Sequence, residues 1–249
     1  MQRYAFEIQY HGLNYAGWQR QPNDISVQEK IEEVLNKLFN SDSISIVGCG
    51  RTDAGVHAHS YFFHVDLLEK YELENLAFKV NRILPLDISV VKVTKVNEDF
   101  HARFDARQRV YRYFITKKKN PFSNGLSLLF TKDLNLEKMN QACEYLLGKQ
   151  DFTSFSKLHT DVKTNICTIK HAFWKQNSEN ELSFEISADR FLRNMVRAIA
   201  GTLIEVGLEN ISVQEVENII KKQNRSAAKH SVSAHGLFLW EISYPNFPC

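Results

Sequence analysis

Eight consecutive residues, Gly50-Arg51-Thr52-Asp53-Ala54-Gly55-Val56-His57, set one carboxylate and one guanidinium between two glycines. Glycine at each end opens backbone angles closed to other residues and lets a second molecule approach closely. An aspartate in such a turn is either a nucleophile or general base, or a local acceptor for backbone amides. Arg51 and Thr52 beside Asp53, at the end of a strand-like run, favour the chemical reading. Cys49, just ahead of the turn, fits a small buried apolar residue better than a reactive thiol.

Other groups could share in that chemistry. His57 and His59 would lie on one strand face, and with His64 and Asp53 they raise a metal site. No Cys-x-x-Cys or His-x-Glu partner accompanies them, so no metal is expected. Tyr111 and Tyr113 also share a face, either as core or with one ring stacked on a nucleobase. Arg190, Arg193 and Arg197 follow at spacings of three and four, as along one side of a helix. Arg197, among Met195, Val196 and Ile199, either snorkels outward or enters a pocket to pair with a carboxylate.

From Arg103 to Lys119 the chain has seven basic residues and one acid, Asp105. That stripe is either a solvated strand edge or a phosphate-contacting surface. The interleaved Tyr111, Tyr113 and Phe114 favour RNA, with Arg103, Arg107, Arg109, Lys117, Lys118 and Lys119 as contacts. The stretch His11–Pro22, which carries Trp18, suits either core or contact with a planar polar ligand.

The elements that must position these groups can be read from periodicity. Residues 4–10 alternate as a strand, and Ser26-Val27-Gln28-Glu29 is a capping box opening a helix along Val27, Ile31, Val34, Leu35, Leu38 and Phe39. Ser43–Cys49 reads as a strand into the turn and Ala58–Asp66 as a strand out of it. A helix over Glu72–Leu84 ends at Pro85, before a strand over Ile88–Val96. Strand, helix, strand, strand, helix, strand is the order of a split βαβ, ferredoxin-like unit. Arg109–Thr116 reads as a strand and Asn120–Lys132 as a loop. Helices are expected over Leu136–Leu147, Phe191–Val206 and Ser212–Gln223, the last capped by Ser212 and Glu215. Strands are expected over Asn165–Lys175, Glu181–Ala188 and Gly236–Tyr244.

The 249 residues suffice for one or two domains, with an ordinary 43% hydrophobic and 24% charged content. A net charge of +2 excludes bulk polyelectrolyte character, so an RNA partner rests on local clusters. Cys49, Cys143, Cys167 and Cys249 show no metal or disulfide spacing and fit a reducing cytosol. No long apolar segment occurs, so a cytoplasmic protein without membrane insertion is expected.

Taken in order, several segments resemble the tRNA pseudouridine synthase A family over almost the full chain. They are Gly17-Trp18-Gln19-Arg20-Gln21, Ser26–Lys30, Gly50–His57, Phe100-His101-Ala102-Arg103-Phe104, Tyr111-Arg112-Tyr113, Asp151–Phe155, Met195-Val196-Arg197 and Gly236-Leu237. The resemblance implies a cofactor-free, metal-free isomerase that converts uridine to pseudouridine at positions 38, 39 and 40 of the tRNA anticodon stem-loop. It implies a homodimer of α+β subunits. Each subunit would hold two ferredoxin-like halves, 1–105 and 106–249, forming a continuous antiparallel sheet around a central RNA-binding cleft. The family's catalytic aspartate falls on Asp53, its stacking tyrosine on Tyr111, the arginine paired with the aspartate on Arg197, and an apolar pocket residue on Leu237. Arg51 is similar to a residue that flips or holds the target nucleotide. Two departures stand out: Ser233 where many members have proline, and Phe-Leu-Arg-Asn ahead of Met195. A non-catalytic RNA-binding module and a metal-dependent nuclease using Asp53, His57 and His59 are the rival readings.

Overall fold

The computed structural model describes residues 1–68, 71–157, 164–245 and 247; Cys249 lies outside them. It is an α+β protein of ten strands and five α-helices among those residues. The chain divides into two compact units, residues 1–107 with 239–249, and residues 108–238.

The first unit runs β1 (Gln2–Tyr10), α1 (Val27–Phe39), β2 (Val47–Gly48), β3 (His57–Leu67), α2 (Leu73–Asn81) and β4 (Ile88–Lys95). β1 is the central strand, antiparallel to β4 on one side and to β3 on the other, and β2 adds to β3. Alternation along β1 buries Tyr4, Phe6, Ile8 and Tyr10, as its sequence predicts. The Ser26 side chain caps α1 by accepting the Glu29 N–H at 3.2 Å. Val27, Ile31, Val34 and Leu35 then bury one helix face.

The expected strand over Ser43–Cys49 shrinks to Val47–Gly48. The reason is competition for its backbone groups. Ile44 N–H donates to Asn36 Oδ1 at 3.0 Å and Ile46 N–H to Glu32 Oε1 at 3.2 Å, while Gln28 Nε2 donates to the Ile46 carbonyl. Side chains of α1 thus satisfy groups that a neighbouring strand would otherwise pair.

The second unit holds β5 (Gln108–Thr116), β6 (Leu128–Leu129), α3 (Leu136–Glu144), β7 (Gly148–Asp151), β8 (Ile166–Ser178), β9 (Glu181–Ala188), α4 (Met195–Gly207) and α5 (Glu215–Lys222). Its strands are ordered β5-β9-β8-β7, all antiparallel. β6, inside the segment expected to be loop, runs parallel to β5 and departs from the antiparallel rule. α3 packs on α4 and β8. β10 (Leu237–Ser243) begins in the second unit and continues into the first.

Two helix starts need correction. α4 begins at Met195, not Phe191, because Asn194 adopts the left-handed conformation (φ 66°) immediately before it. Arg190 and Arg193 therefore precede the helix and do not share a helical side with Arg197. α5 begins at Glu215, after Gln214, with no side-chain cap; only the Ser212 carbonyl takes the Glu215 N–H, at 3.1 Å.

Candidate active site

The turn at Asp53 is built from its backbone outward. Val56 N–H donates to the Asp53 carbonyl at 3.2 Å, and Gly55 has φ +77° at the third position. That is where a type II turn requires a positive φ, so Gly55 is a backbone necessity. Asp53 is half-buried and Arg51 exposed, while Thr52 between them is buried. The Thr52 hydroxyl meets the buried Tyr10 hydroxyl at 2.8 Å.

Three supports hold this turn in place. Trp18 N–H donates to the Thr52 carbonyl at 3.3 Å, and Gly55 N–H to the Tyr15 carbonyl at 3.2 Å. Tyr61, buried on β3, donates its hydroxyl to the Gly50 carbonyl at 2.5 Å. Burial pushes that phenol well above its ordinary pKa, which keeps it protonated and donating. The Trp18 ring stacks on Tyr61 with 4.0 Å between centroids. With 2% exposure Trp18 itself is core, while Gln19, Arg20 and Gln21 beside it are exposed. The same stretch reaches α1, because Val27 and Gln28 N–H groups donate to the Gly17 and Trp18 carbonyls. Helix, tryptophan and turn thus form one connected support.

The glycines differ in what they do. A Cβ at Gly17 (φ +98°) would sit 2.3 Å from the Thr52 carbonyl oxygen, and one at Gly12 would sit 1.9 Å from the Val56 oxygen. Gly50 has no protein atom within 4 Å of such a Cβ and no positive φ. The conformational reason expected for glycine therefore holds at Gly55 but not at Gly50.

Two of the histidines, His57 and His64, serve the backbone. His57 is fully buried, and its Nδ1 accepts the Gly12 N–H at 3.0 Å. His64 Nδ1 accepts the Ala102 N–H at 3.1 Å, and burial lowers its pKa to about 4. His59 is exposed and stacks on Trp240 at 4.1 Å. Among the described residues, no group of three or more His, Cys, Asp or Glu side chains is placed to hold a metal ion. Cys49, Cys143 and Cys167 are buried free thiols, and burial pushes Cys167 up to about 12.

Tyr111, Arg197 and Leu237 lie in the second unit. Tyr111 is half-buried on β5, edge-on to Phe191 at 5.1 Å. Its neighbour Tyr113 is core, fully buried, with its hydroxyl donating to the Ser233 carbonyl at 3.0 Å. Arg197, half-buried on α4, donates its Nε to the Val232 carbonyl at 2.8 Å, and Val232 N–H returns to the Arg197 carbonyl. The segment 230–236 therefore ties α4 to β5. Close approach makes this possible: a Cβ at Gly201 would strike the His230 carbonyl at 1.9 Å, and one at Gly236 would meet the Tyr113 ring at 2.8 Å. Leu237, next in the chain, is buried. Sequence reasoning missed this strap; its signal was a glycine one helical turn beyond Arg197. Ser233 fits where it stands, its hydroxyl on His235 Nδ1 at 2.7 Å and its φ at −57°, an angle that proline also takes.

The basic residues fall in both units. Arg103 and Arg107 belong to the first unit and are exposed; Arg109 and Lys117–Lys119 belong to the second. Arg109 Nη1 donates to the Asp189 carbonyl at 2.7 Å, and Lys117 faces Asp133 at 3.3 Å. Lys118 and Lys119 are exposed. Arg112 instead pairs with Glu185 at 2.6 Å, and Glu185 also meets His171.

Comparison with known proteins decides the relationship. A family model described as tRNA pseudouridine synthase matches residues 142–245. A tRNA pseudouridine synthase A of Parabacteroides distasonis is 50% identical over 246 residues, covering 98% of this chain and 97% of its own. One from Bacillus subtilis is 38% identical over 242 residues, covering 96% and 98%. The chain belongs to the tRNA pseudouridine synthase A family. No helix among the described residues is long and apolar enough to cross a membrane.

Proposed function

We propose that this chain, an isomerase acting on tRNA by its family, converts uridine to pseudouridine at positions 38, 39 and 40 of the anticodon stem-loop, with Asp53 as the catalytic group. The observation that carries the proposal is the Asp53 turn: a half-buried carboxylate on a backbone fixed by Trp18, Tyr15 and Tyr61, beside an exposed Arg51. Such preorganisation is what a single reacting carboxylate needs.

The chemistry matches one carboxylate. The N1–C1′ bond of the nucleotide breaks, the base turns, and a C5–C1′ bond forms; a proton leaves C5 and one is gained at N1. Nothing is consumed, so no cofactor or metal enters the proposal. Glycoside hydrolysis, by contrast, normally uses two carboxylates flanking the bond. The target base must first leave its stack, at a cost of a few kcal/mol. In this reading Arg51 holds the flipped nucleotide, Tyr111 stacks on the base, and Leu237 lines its pocket. Arg197 pairs with Asp53 and aims its carboxylate. Arg103, Arg107, Arg109, Lys117, Lys118 and Lys119 contact phosphates. The reading also takes each unit as a ferredoxin-like half, which the β4-β1-β3-β2 order of the first supports, and it takes the working enzyme as a cytoplasmic homodimer.

Mapping pseudouridine in tRNA from cells with and without this gene tests the assignment. Loss confined to positions 38–40 is expected; an unchanged map would refute it.

A further inference from the structure

Phe104 is 69% exposed, yet its ring is not loose on the surface. The His101 imidazole lies against it with 4.2 Å between centroids and 36° between planes. The Arg103 guanidinium carbon lies 5.7 Å from the ring centre. The loop carrying all three is pinned along its length. His101 N–H donates to Asp105 Oδ2 at 2.7 Å, and His101 Nδ1 accepts the N–H groups of Arg103 and Phe104 at 3.1 and 3.3 Å. Between them Ala102 is buried; its N–H donates to His64 Nδ1 and its carbonyl accepts the Tyr244 hydroxyl at 2.6 Å.

A lone exposed apolar residue is ordinary on a protein surface. This ring differs in being backed by an imidazole, flanked by a guanidinium and mounted on a fixed backbone. A planar face of that kind, already desolvated on one side and close to a positive charge, suits a nucleobase followed by its phosphate. Its place in the fold matters too. His64, the residue that anchors Ala102, lies seven positions along β3 from His57, where the Asp53 turn ends. At the rise of an extended strand the two histidines stand roughly 20 Å apart, so the loop is anchored well along β3 from the Asp53 turn.

We propose that Phe104, with His101 behind it and Arg103 beside it, is a stacking platform for a second, unpaired base of the RNA substrate, remote from the uridine at Asp53. The proposal rests on tRNA being the substrate but not on Asp53 being catalytic. It anchors the substrate through a base that is not modified, with Arg103 on the adjoining phosphate.

The test is equilibrium binding of an unmodified tRNA transcript to the full chain, with thermal melting of each variant. Phe104→Leu keeps size and apolarity but removes the π face, and is expected to weaken binding about tenfold. Phe104→Tyr keeps the face and should bind within about twofold of the parent. Both variants should melt like the parent, and saturating tRNA should restore conversion by Phe104→Leu to the parental rate. Parental binding by Phe104→Leu overturns the proposal. So does equal loss in both variants, or a shared fall in melting temperature, since either makes the ring structural. Binding is read without turnover, so an active Asp53→Asn enzyme would sink the catalytic assignment while leaving this measurement intact.

Discussion

Gly17→Ala perturbs the Asp53 turn without touching a reacting group. The new methyl would lie 2.3 Å from the Thr52 carbonyl oxygen, with the Asp53 carbonyl carbon at 3.1 Å and the Ala54 nitrogen at 3.3 Å. Reaching even 3.0 Å from that oxygen requires a displacement of 0.7 Å (3.0 minus 2.3). The atoms on the other side are backbone and cannot swing aside as a flexible side chain would. An alanine at φ +98° adds strain of its own. Together these should cost about 2–4 kcal/mol and lower Tm by about 10 °C. The effect on rate is the sharper result. Misplacing a catalytic group by about 1 Å can cost about a hundredfold, so single-turnover conversion well below Tm should fall roughly 30- to 100-fold. tRNA binding should change by less than about threefold, because uniform binding does not depend on the carboxylate position. Gly50→Ala is the control for stability, since its methyl meets open protein space, and its melting should stay within about 0.5 kcal/mol of the parent. A Gly17→Ala enzyme that is destabilised yet converts at the parental rate would refute the link between this contact and catalysis.

Two further outcomes follow from the same geometry. Tyr111→Ala should slow conversion by at least about tenfold through loss of base stacking, whereas Tyr111→Phe should still bind tRNA; parental turnover by Tyr111→Ala would refute stacking by that ring. Acid should destabilise the first unit through His64. Below about pH 6.5 the unfolded chain binds a proton at this imidazole that the folded chain refuses until about pH 4, so stability falls as pH drops through that window. The loss should approach about 2 kcal/mol, allowing for partial solvent access. His64→Asn, whose Oδ1 can still accept the Ala102 N–H, should flatten the dependence in denaturant melts; an unchanged slope would contradict the assignment to His64.

Much of the fold could be read from local pattern. The alternation of β1 and the Ser26 cap of α1 are decided within a few residues, so sequence and structure agree there. The segment ahead of the turn could not be read that way. Its apolar alternation fits a strand, but Asn36, Glu32 and Gln28 of α1 capture its backbone groups, a tertiary effect invisible in a local window. Asn194 is a similar case. The apolar run from Phe191 fits a helix continuously, and only the left-handed backbone at Asn194 places Arg190 and Arg193 outside it. At the site, Asp53 could be picked out by residue type and by its neighbours. Its supports could not, because Trp18, Tyr61 and Tyr10 are aromatic residues that any core would use. The strap from His230 to Gly236 was hidden for a different reason: Arg197 and Tyr113 bind its backbone carbonyls, which any residue supplies, and the glycines it packs on leave little trace in a single sequence.

The central claim is that Asp53 is the reacting group of a tRNA uridine isomerase, and its most direct test is single-turnover conversion of unmodified tRNA by Asp53→Asn. The account predicts no detectable pseudouridine, with tRNA binding within about tenfold of the parent, because the amide keeps the shape of the side chain but cannot act as nucleophile or base. Conversion at the parental rate would contradict it.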